Sequence, residues 1–326
     1  MAGMGKRMRP HTLTTPKPLI RFGGKSIVEH LIGQIASSTE DKIEEIAFVT
    51  GHFGSRTEDA LVDAARNVGA KGSIHYQEEA LGTAHAILCA ASCLQGPVVV
   101  AFADTLFYGS GKLDAGKDSV IWTKKVDDPS AFGVVLTDAA NRITGFVEKP
   151  RTPVSDQAII GIYFFKDGKL LKDELQYLID HDLRKGNEYQ LTDALQNMME
   201  KEIRFYSEPV EEWLDCGNKD ATVQTHARVL EHQGHHVDKE ATVEEAVIVP
   251  PCHIAAGAVV CRSVVGPYVT VDAGSRIEDS VVRDSIVQKN ARIENTVLRH
   301  SMIGNQAQVR TDARVLNLGD FSCLES

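Results

Sequence analysis

The stretch Val265-Gly-Pro-Tyr-Val-Thr-Val271-Asp-Ala-Gly-Ser-Arg-Ile277-Glu-Asp-Ser-Val-Val282-Arg-Asp-Ser-Ile-Val287 decides how the C-terminal third of the chain folds. Its aliphatic residues return every five or six positions, and the pattern continues through Ile293, Leu298, Ile303, Val309 and Val315. An α-helix would repeat near 3.6 residues and a half-buried strand at 2, so neither accounts for it. Grouped in threes, the spacing is 17 and then 16 residues, from Val265 to Val282 to Leu298. That fits one coil of a triangular parallel β-helix in which each side sends one aliphatic inward. Residues 241–319 are expected to form it, with 320–326 as a tail. Upstream, the polar run Glu231-His-Gln-Gly-His-His-Val-Asp238 marks a domain boundary, with residues 233–240 as a linker.

Residues 1–232 carry a different pattern. Ile46–Val49 and Val98–Phe102 are short apolar runs of the kind found in buried parallel strands. Ser26–Ser38, Glu58–Val68 and Thr83–Ala91 place apolar residues at helical spacing. Strand-then-helix order implies a doubly wound α/β sheet. Phe132–Leu136 and Ile143–Val147 read instead as a hairpin, and Ala158–Phe165 as a further strand, so the sheet is expected to be mixed.

The 326 residues suffice for about two domains at roughly 150 residues each. With 43% hydrophobic and 25% charged residues, the composition excludes collagen-like and wholly disordered classes. Asp plus Glu number 45 against 35 for Lys plus Arg, and without a dense basic run nucleic acid is not an expected partner. No apolar run approaches the roughly 18 residues of a membrane span, so no membrane partner is expected and the cytoplasm is the expected location. Six cysteines without a Cys-x-x-Cys pair, and twelve histidines without His-x-x-x-His spacing on a helix, His235-His236 lying in the polar linker stretch, give no reason to place a metal on either residue type.

The N-terminus reads Gly3-Met4-Gly5-Lys6-Arg7-Met8-Arg9-Pro10, followed by Pro16-Lys17-Pro18-Leu19. Glycines let backbone amides close on phosphate oxygens, and Arg7 and Lys17 add positive charge. Alone, such a run is equally an ordinary turn. Further down stand Gln77 with Leu81-Gly82-Thr83-Ala84-His85-Ala86, Ala103-Asp104-Thr105, Phe132-Gly133-Val134-Val135 and Phe146-Val147-Glu148-Lys149-Pro150. Gly161-Ile162-Tyr163, Glu188-Tyr189-Gln190-Leu191-Thr192-Asp193 and Trp213-Leu214-Asp215-Cys216-Gly217 complete the series.

In this order the motifs resemble those of sugar-1-phosphate nucleotidylyltransferases, in particular enzymes of the glucose-1-phosphate thymidylyltransferase type with a C-terminal left-handed β-helix. The resemblance implies a Rossmann-like mixed-sheet nucleotidyltransferase domain followed by that β-helix. It implies transfer of a nucleotidyl group from an NTP, with dTTP or UTP favoured, to a sugar-1-phosphate, with glucose-1-phosphate favoured, releasing pyrophosphate. Arg7 and Lys17 become the catalytic residues. Ala2, Gly3, Gly5, Lys6, Gln77, Gly82 and Thr83 become nucleotide contacts, and Gly133, Glu148, Lys149 and Gly161 sugar-phosphate contacts. Asp104 and Asp215 become Mg²⁺ ligands, and a homo-oligomer through the β-helix is implied.

The sequence departs from the family pattern at Ala103, usually Gly, at Lys6, usually Thr, and at Ile159, usually an Asn that would meet a sugar hydroxyl. Family members also carry an apolar strand of about five residues before the glycine loop, in the middle of the sheet. Here the loop begins at Met1-Ala2-Gly3, so Met1 is expected to be an internal methionine and the central slot to be empty. Two other readings stay open. An acyltransferase on the β-helix would use His253 or His300 as base, and a regulatory or structural subunit would have kept the fold without turnover.

Overall fold

The computed structural model describes residues 5–312 apart from 110, 151 and 153. The chain folds as two compact units, one of residues 1–20 and 25–218, the other of Arg21–Gly24 with Lys219 onward.

In the first unit, β1 (Glu45–Thr50) and β2 (Lys71–Tyr76) pair in parallel. Helix α1 (Ile27–Ser38) precedes them and α2 (Ser55–Asn67) connects them. Ser26 starts α1 with a capping box: its hydroxyl accepts from the Glu29 amide while the Glu29 carboxylate accepts from the Ser26 amide. Val28 and Ile32 of α1 pack with Phe48, Leu61, Ala64 and Ala65. The short helix α3 (Thr83–Leu88) leads to β3 (Val98–Ala101) and β4 (Thr105–Tyr108). β5 (Ser119–Lys125), the hairpin of β6 (Gly133–Thr137) and β7 (Ile143–Glu148), and β8 (Gln157–Phe165) follow. After α4 (Gly168–Asp180) and α5 (Leu191–Glu200) come β9 (Phe205–Pro209) and β10 (Glu212–Asp215).

The main sheet runs β9-β5-β8-β6-β7, with β3 also on β8. β9 pairs with β5 in parallel and the remaining pairs are antiparallel, so the sheet is mixed. The parallel pairing expected of Val98–Phe102 is corrected: β3 lies antiparallel to β8, with Ile162 opposite Ala101 and Phe165 opposite Val98. All four residues of β3 are only half-buried. Among the described residues, β3 pairs with no strand but β8, and β1 with none but β2, so each keeps one edge without a strand there. Among the same residues, the buried hydroxyl of Thr50, at the end of β1, has no hydrogen-bond partner.

The second unit is a parallel β-helix preceded by α6 (Lys219–Gln233). Register runs coil on coil without a break, for example Val260–Ile277–Ile293–Val309 and Val265–Val282–Leu298. Val265, Val271, Ile277, Val282, Val287 and Ile293 are fully buried in one core, against which Leu298, Ile303 and Val309 pack. Val315 lies outside the described residues. Within the expected linker, Gln233 ends α6 and His236–Val237 pairs with His253–Ile254.

Each corner of the triangle stacks residues with positive φ: Glu245, Arg262, Asp279 and Asn295 at one, Gly257, Gly274, Asn290 and Gln306 at another. The third corner explains the change from 17 to 16. There Tyr268 follows Arg262 by six positions, whereas Asp284 follows Asp279, and His300 follows Asn295, by five. Buried hydroxyls tie the coils together: Ser263 Oγ accepts from the Ser280 amide at 3.1 Å and Ser280 Oγ from the Thr296 amide at 3.2 Å.

Candidate active site

The site is assembled in the first unit from three groups of residues. The first depends on β4 and β10, which pair antiparallel with Asp215 opposite Thr105, while the Cys216 amide donates to the Asp104 carbonyl at 2.9 Å. This pairing brings together two aspartates that lie far apart in sequence. Lys17 Nζ meets Asp104 Oδ2 at 2.6 Å; the lysine side chain is 11% exposed and the aspartate 40%. Neighbouring protein partly removes water from the Asp215 carboxyl, and the Asp104 charge lies beside it. Together they hold Asp215 above the usual aspartate range, against the Gly217 amide, Lys17 and Arg7. Gly5 adopts φ +55°, and a Cβ there would come within 3.0 Å of Thr12 and 3.5 Å of Lys17. The Thr12 hydroxyl pins the turn by donating to the Gly5 carbonyl at 2.8 Å. Lys6 and Arg7 are exposed, above the fully buried Met8. Ala2 and Gly3 lie outside the described residues.

The second group is the turn at Gly82. With φ +109°, a Cβ there would lie 2.5 Å from the Tyr189 carbonyl oxygen and 2.7 Å from its nitrogen, so only glycine fits. The Tyr189 amide donates to the Leu81 carbonyl at 2.8 Å, and Thr83 Oγ1 accepts from the Leu191 amide at 3.0 Å. Gln77 Nε2 donates to the Gly82 carbonyl and meets His85 Nδ1, both at 3.1 Å. A carbonyl only accepts, so this contact fixes which end of the amide is nitrogen and leaves Gln77 Oε1 as its acceptor. His85 lies within the Leu81–Ala86 motif, but no role was expected of it; its place in the first turn of α3, facing back toward Gln77, was the available signal.

The third group surrounds Glu148, which pairs across the hairpin with Gly133. A Cβ on Gly133 would come within 3.0 Å of Glu148 Oε2 and 3.5 Å of Ile159 Cδ1. Ile159 is buried beneath it. Lys149 adopts φ +44° and holds its ammonium 3.9 Å from Glu148 Oε1, largely in solvent. Burial, with the Glu148 charge, pushes the Tyr163 hydroxyl far above its usual range. Gly161 sits where the β8 register shifts, at φ +87°, with the Phe102 ring where a side chain would go.

Bridging contacts make the three groups one site. The Trp213 ring, two residues before Asp215, meets the Phe132 ring beside Gly133 at 4.8 Å. The segment that closes on Gly82 continues to Thr192, whose methyl would lie 3.9 Å from a Cβ at Gly133. The arrangement offers clustered cations and glycine amides at one end and hydroxyl-binding carboxylate chemistry at the other, suited to holding two phosphorylated molecules.

An α/β domain with a glycine-rich loop, a lysine and two apposed aspartates defines a class of phosphate-handling transferase. The nucleotidyl transferase family profile matches residues 1–232, and a GlmU-like C-terminal hexapeptide profile matches residues 227–315. The chain therefore belongs to the nucleotidyl transferase family and is an enzyme of that class. It is 28% identical over 317 residues to a glucose-1-phosphate thymidylyltransferase of Streptomyces antibioticus, covering 87% of this chain and 85% of that one. To the catalytic subunit beta of mannose-1-phosphate guanylyltransferase from Drosophila melanogaster it is 31% identical over 185 residues, 54% of this chain and 49% of that one. A solved UDP-glucose pyrophosphorylase complexed with UDP-glucose superposes with a TM-score of 0.57 at 22% identity, over 71% of this chain and 96% of that one, which shows the common fold.

Proposed function

We propose that the protein joins an NTP, dTTP or UTP, to a sugar-1-phosphate, glucose-1-phosphate above all, giving the nucleotide sugar and pyrophosphate, and that it works as a homo-oligomer held through its β-helix. The observation that carries this reading is the Lys17–Asp104–Asp215 cluster facing the Gly5 turn. A phosphate oxygen of the sugar-1-phosphate attacks the α-phosphorus of the NTP, the P–O bond to pyrophosphate breaks, and no covalent enzyme intermediate is needed. Gly5 with Ala2, Gly3, Lys6 and Arg7 would hold the triphosphate, while Lys17 would neutralise charge growing on the transferred phosphoryl. Glu148, beside Gly133 and Gly161, would accept from sugar hydroxyls, and Lys149 would meet the sugar phosphate. Ile159 brings only an apolar surface where an amide would have read one more hydroxyl.

Among the described residues no three His, Cys, Asp or Glu side chains group as a metal site. Two neighbouring carboxylates, with the charge of Asp104 raising the proton affinity of Asp215, nevertheless fit Mg²⁺, which takes one or two protein carboxylates and fills its shell with water and substrate phosphate. Asp104 and Asp215 would hold it, and it would supply charge neutralisation on the phosphates. Replacing Lys17 by Ala should lower kcat by about 10²-fold with little change in KM, as rapid-quench turnover would show. A change confined to KM would mean that Lys17 only binds substrate.

For the base, Oε1 of Gln77 supports a ring N–H donor, as thymine and uracil have at N3 and cytosine lacks. Pyrophosphate release should be measured for four NTPs against a panel of sugar-1-phosphates. It should be highest with dTTP or UTP, and replacing Gln77 by Ala, which removes the Oε1 acceptor, should shrink that preference by about fivefold, the worth of roughly one hydrogen bond. Preference for a purine would overturn the base assignment, and no pyrophosphate from any pair would overturn the enzyme.

A further inference from the structure

A second cluster of reactive side chains lies in the first unit, outside the three groups of the active site. Strand β2 alternates its side chains, so Ser73 and His75 share one face while Ile74, on the other, packs against the core of α1 and α2. Cys93, in the 3₁₀ turn Ala91–Cys93, comes onto the first face. Its sulfur is 3.5 Å from His75 Nε2 and 4.0 Å from Ser73 Oγ, and Ser73 Oγ is itself 3.1 Å from His75 Nε2. The Ser92 hydroxyl lies 3.8 Å from the same sulfur. Ser73, His75 and Cys93 are all half-buried, so solvent reaches the group. Behind Ser73 stands Glu45, two positions along β1 from Ala47, the register partner of Ser73. The Ser73 hydroxyl donates to the Glu45 carboxylate, and that bond, with Lys71 at 3.2 Å and His75 nearby, holds Glu45 below the usual carboxylate range against some loss of hydration.

We infer that Cys93 is a nucleophilic thiol activated by His75, with Ser73 and Glu45 behind it, and that it is a site of oxidation by peroxide. The placing of the hydrogens favours the charged pair. Ser73 commits its one hydrogen to Glu45, so toward His75 it presents an acceptor. Were the thiol to keep its proton and point it at Nε2, the bare nitrogen and the Ser73 oxygen would face each other at 3.1 Å with no hydrogen between them. A proton on Nε2 gives that N–H both the sulfur and the Ser73 oxygen as acceptors, and sulfur accepts best as the thiolate. The Glu45 carboxylate then balances the imidazolium through Ser73. Thiolate is the nucleophilic form of cysteine, and a histidine held by a third group is a common means of producing it. The Cys93 sulfur attacks one oxygen of hydrogen peroxide: the S–O bond forms, the O–O bond breaks, and the departing hydroxide takes the proton from His75 Nε2 and leaves as water. Sulfur gives up two electrons, peroxide accepts them, and Cys93 becomes the sulfenic acid.

The test treats the natural full-length chain with hydrogen peroxide in the presence of dimedone, which traps sulfenic acid, and follows the labelling of each cysteine by peptide mass spectrometry. Cys89, four residues earlier, is the internal control, because burial, with the Glu78 charge, raises its thiol above the usual range. Cys93 should be labelled about tenfold faster than Cys89. His75→Asn, which keeps a polar side chain of similar size but cannot take the proton, should slow Cys93 about tenfold and leave Cys89 unchanged. Glu45→Gln, at the strand surface, should slow Cys93 about threefold by removing the charge behind Ser73. An unfolded His75→Asn chain would be recognised by faster labelling of Cys89, and Glu45→Gln then decides alone. Labelling of Cys93 no faster than that of Cys89 in the natural chain overturns the site. A fast Cys93 indifferent to the substitutions overturns its activation by His75, leaving exposure as the cause.

Discussion

Turnover falls by about 10²- to 10³-fold or more when either Asp104 or Asp215 is replaced by Asn, because each substitution removes a carboxylate from the place where phosphate charge must be neutralised. The two variants are expected to part company in stability, which separates the catalytic role from a folding role. Asp104 is the counter-ion of Lys17 at 2.6 Å, and Asn leaves that mostly buried ammonium without its charge partner, so the melting temperature falls. Asp215 behaves oppositely. Its carboxyl titrates above the usual aspartate range because of lost hydration and the Asp104 charge. A group with a raised folded pKa favours the folded state below its unfolded pKa and loses that contribution as pH rises through the folded value. At neutral pH the ionised Asp215 is therefore a cost, and Asp215→Asn raises the melting temperature while turnover collapses. Calorimetry at pH 7 beside a pyrophosphate assay checks both. Full turnover by either variant at ordinary Mg²⁺ rejects the metal assignment.

The second large effect concerns Gly82. A Cβ there would lie 2.5 Å from the Tyr189 carbonyl oxygen and 2.7 Å from its nitrogen, at a φ of +109°. Those are backbone atoms, which cannot swing aside as the end of a flexible side chain can. Strain of about 2 kcal/mol at such a position corresponds to a melting temperature about 4–8 °C lower in a domain of this size, so Gly82→Ala should melt lower by that amount. The Gly82 carbonyl also holds the Gln77 amide, so KM for the nucleotide should rise with it. An unchanged melting temperature and KM in Gly82→Ala would sink the idea.

How far the sequence could be read depended on what each residue type has to satisfy. The β-helix was legible because every coil must send one aliphatic inward per side, and Val265, Val282 and Leu298 do so at any coil length. The direction of Val98–Ala101 was not, since an apolar run is the same whether its partner runs parallel or antiparallel, and only the pairing with Ile162–Phe165 decides it. The first turn of α2 was missed because Ser55, Arg56 and Thr57 carry no apolar periodicity and the helix opens after Gly54. Within the site, Gly82 was visible as a glycine in a motif, but the reason for it is the Tyr189 backbone, more than a hundred positions away. The partnership of Gln77 with His85 was close in sequence yet had no spacing rule to announce it.

The corner that turns 17-residue coils into 16-residue ones also says where this architecture tolerates change in length. Tyr268 stands six positions beyond its preceding corner, while Asp284 and His300 stand five beyond theirs, yet the flanking ladders stay in register. One residue more or less at that point is absorbed by the turn. The same change inside a face would swap inward and outward side chains and put the aliphatic core into water. Insertions, whether acquired by evolution or grafted by an engineer, therefore have an admissible address at this corner of each coil, and new loops can accumulate there in a column without any coil below or above having to be rebuilt.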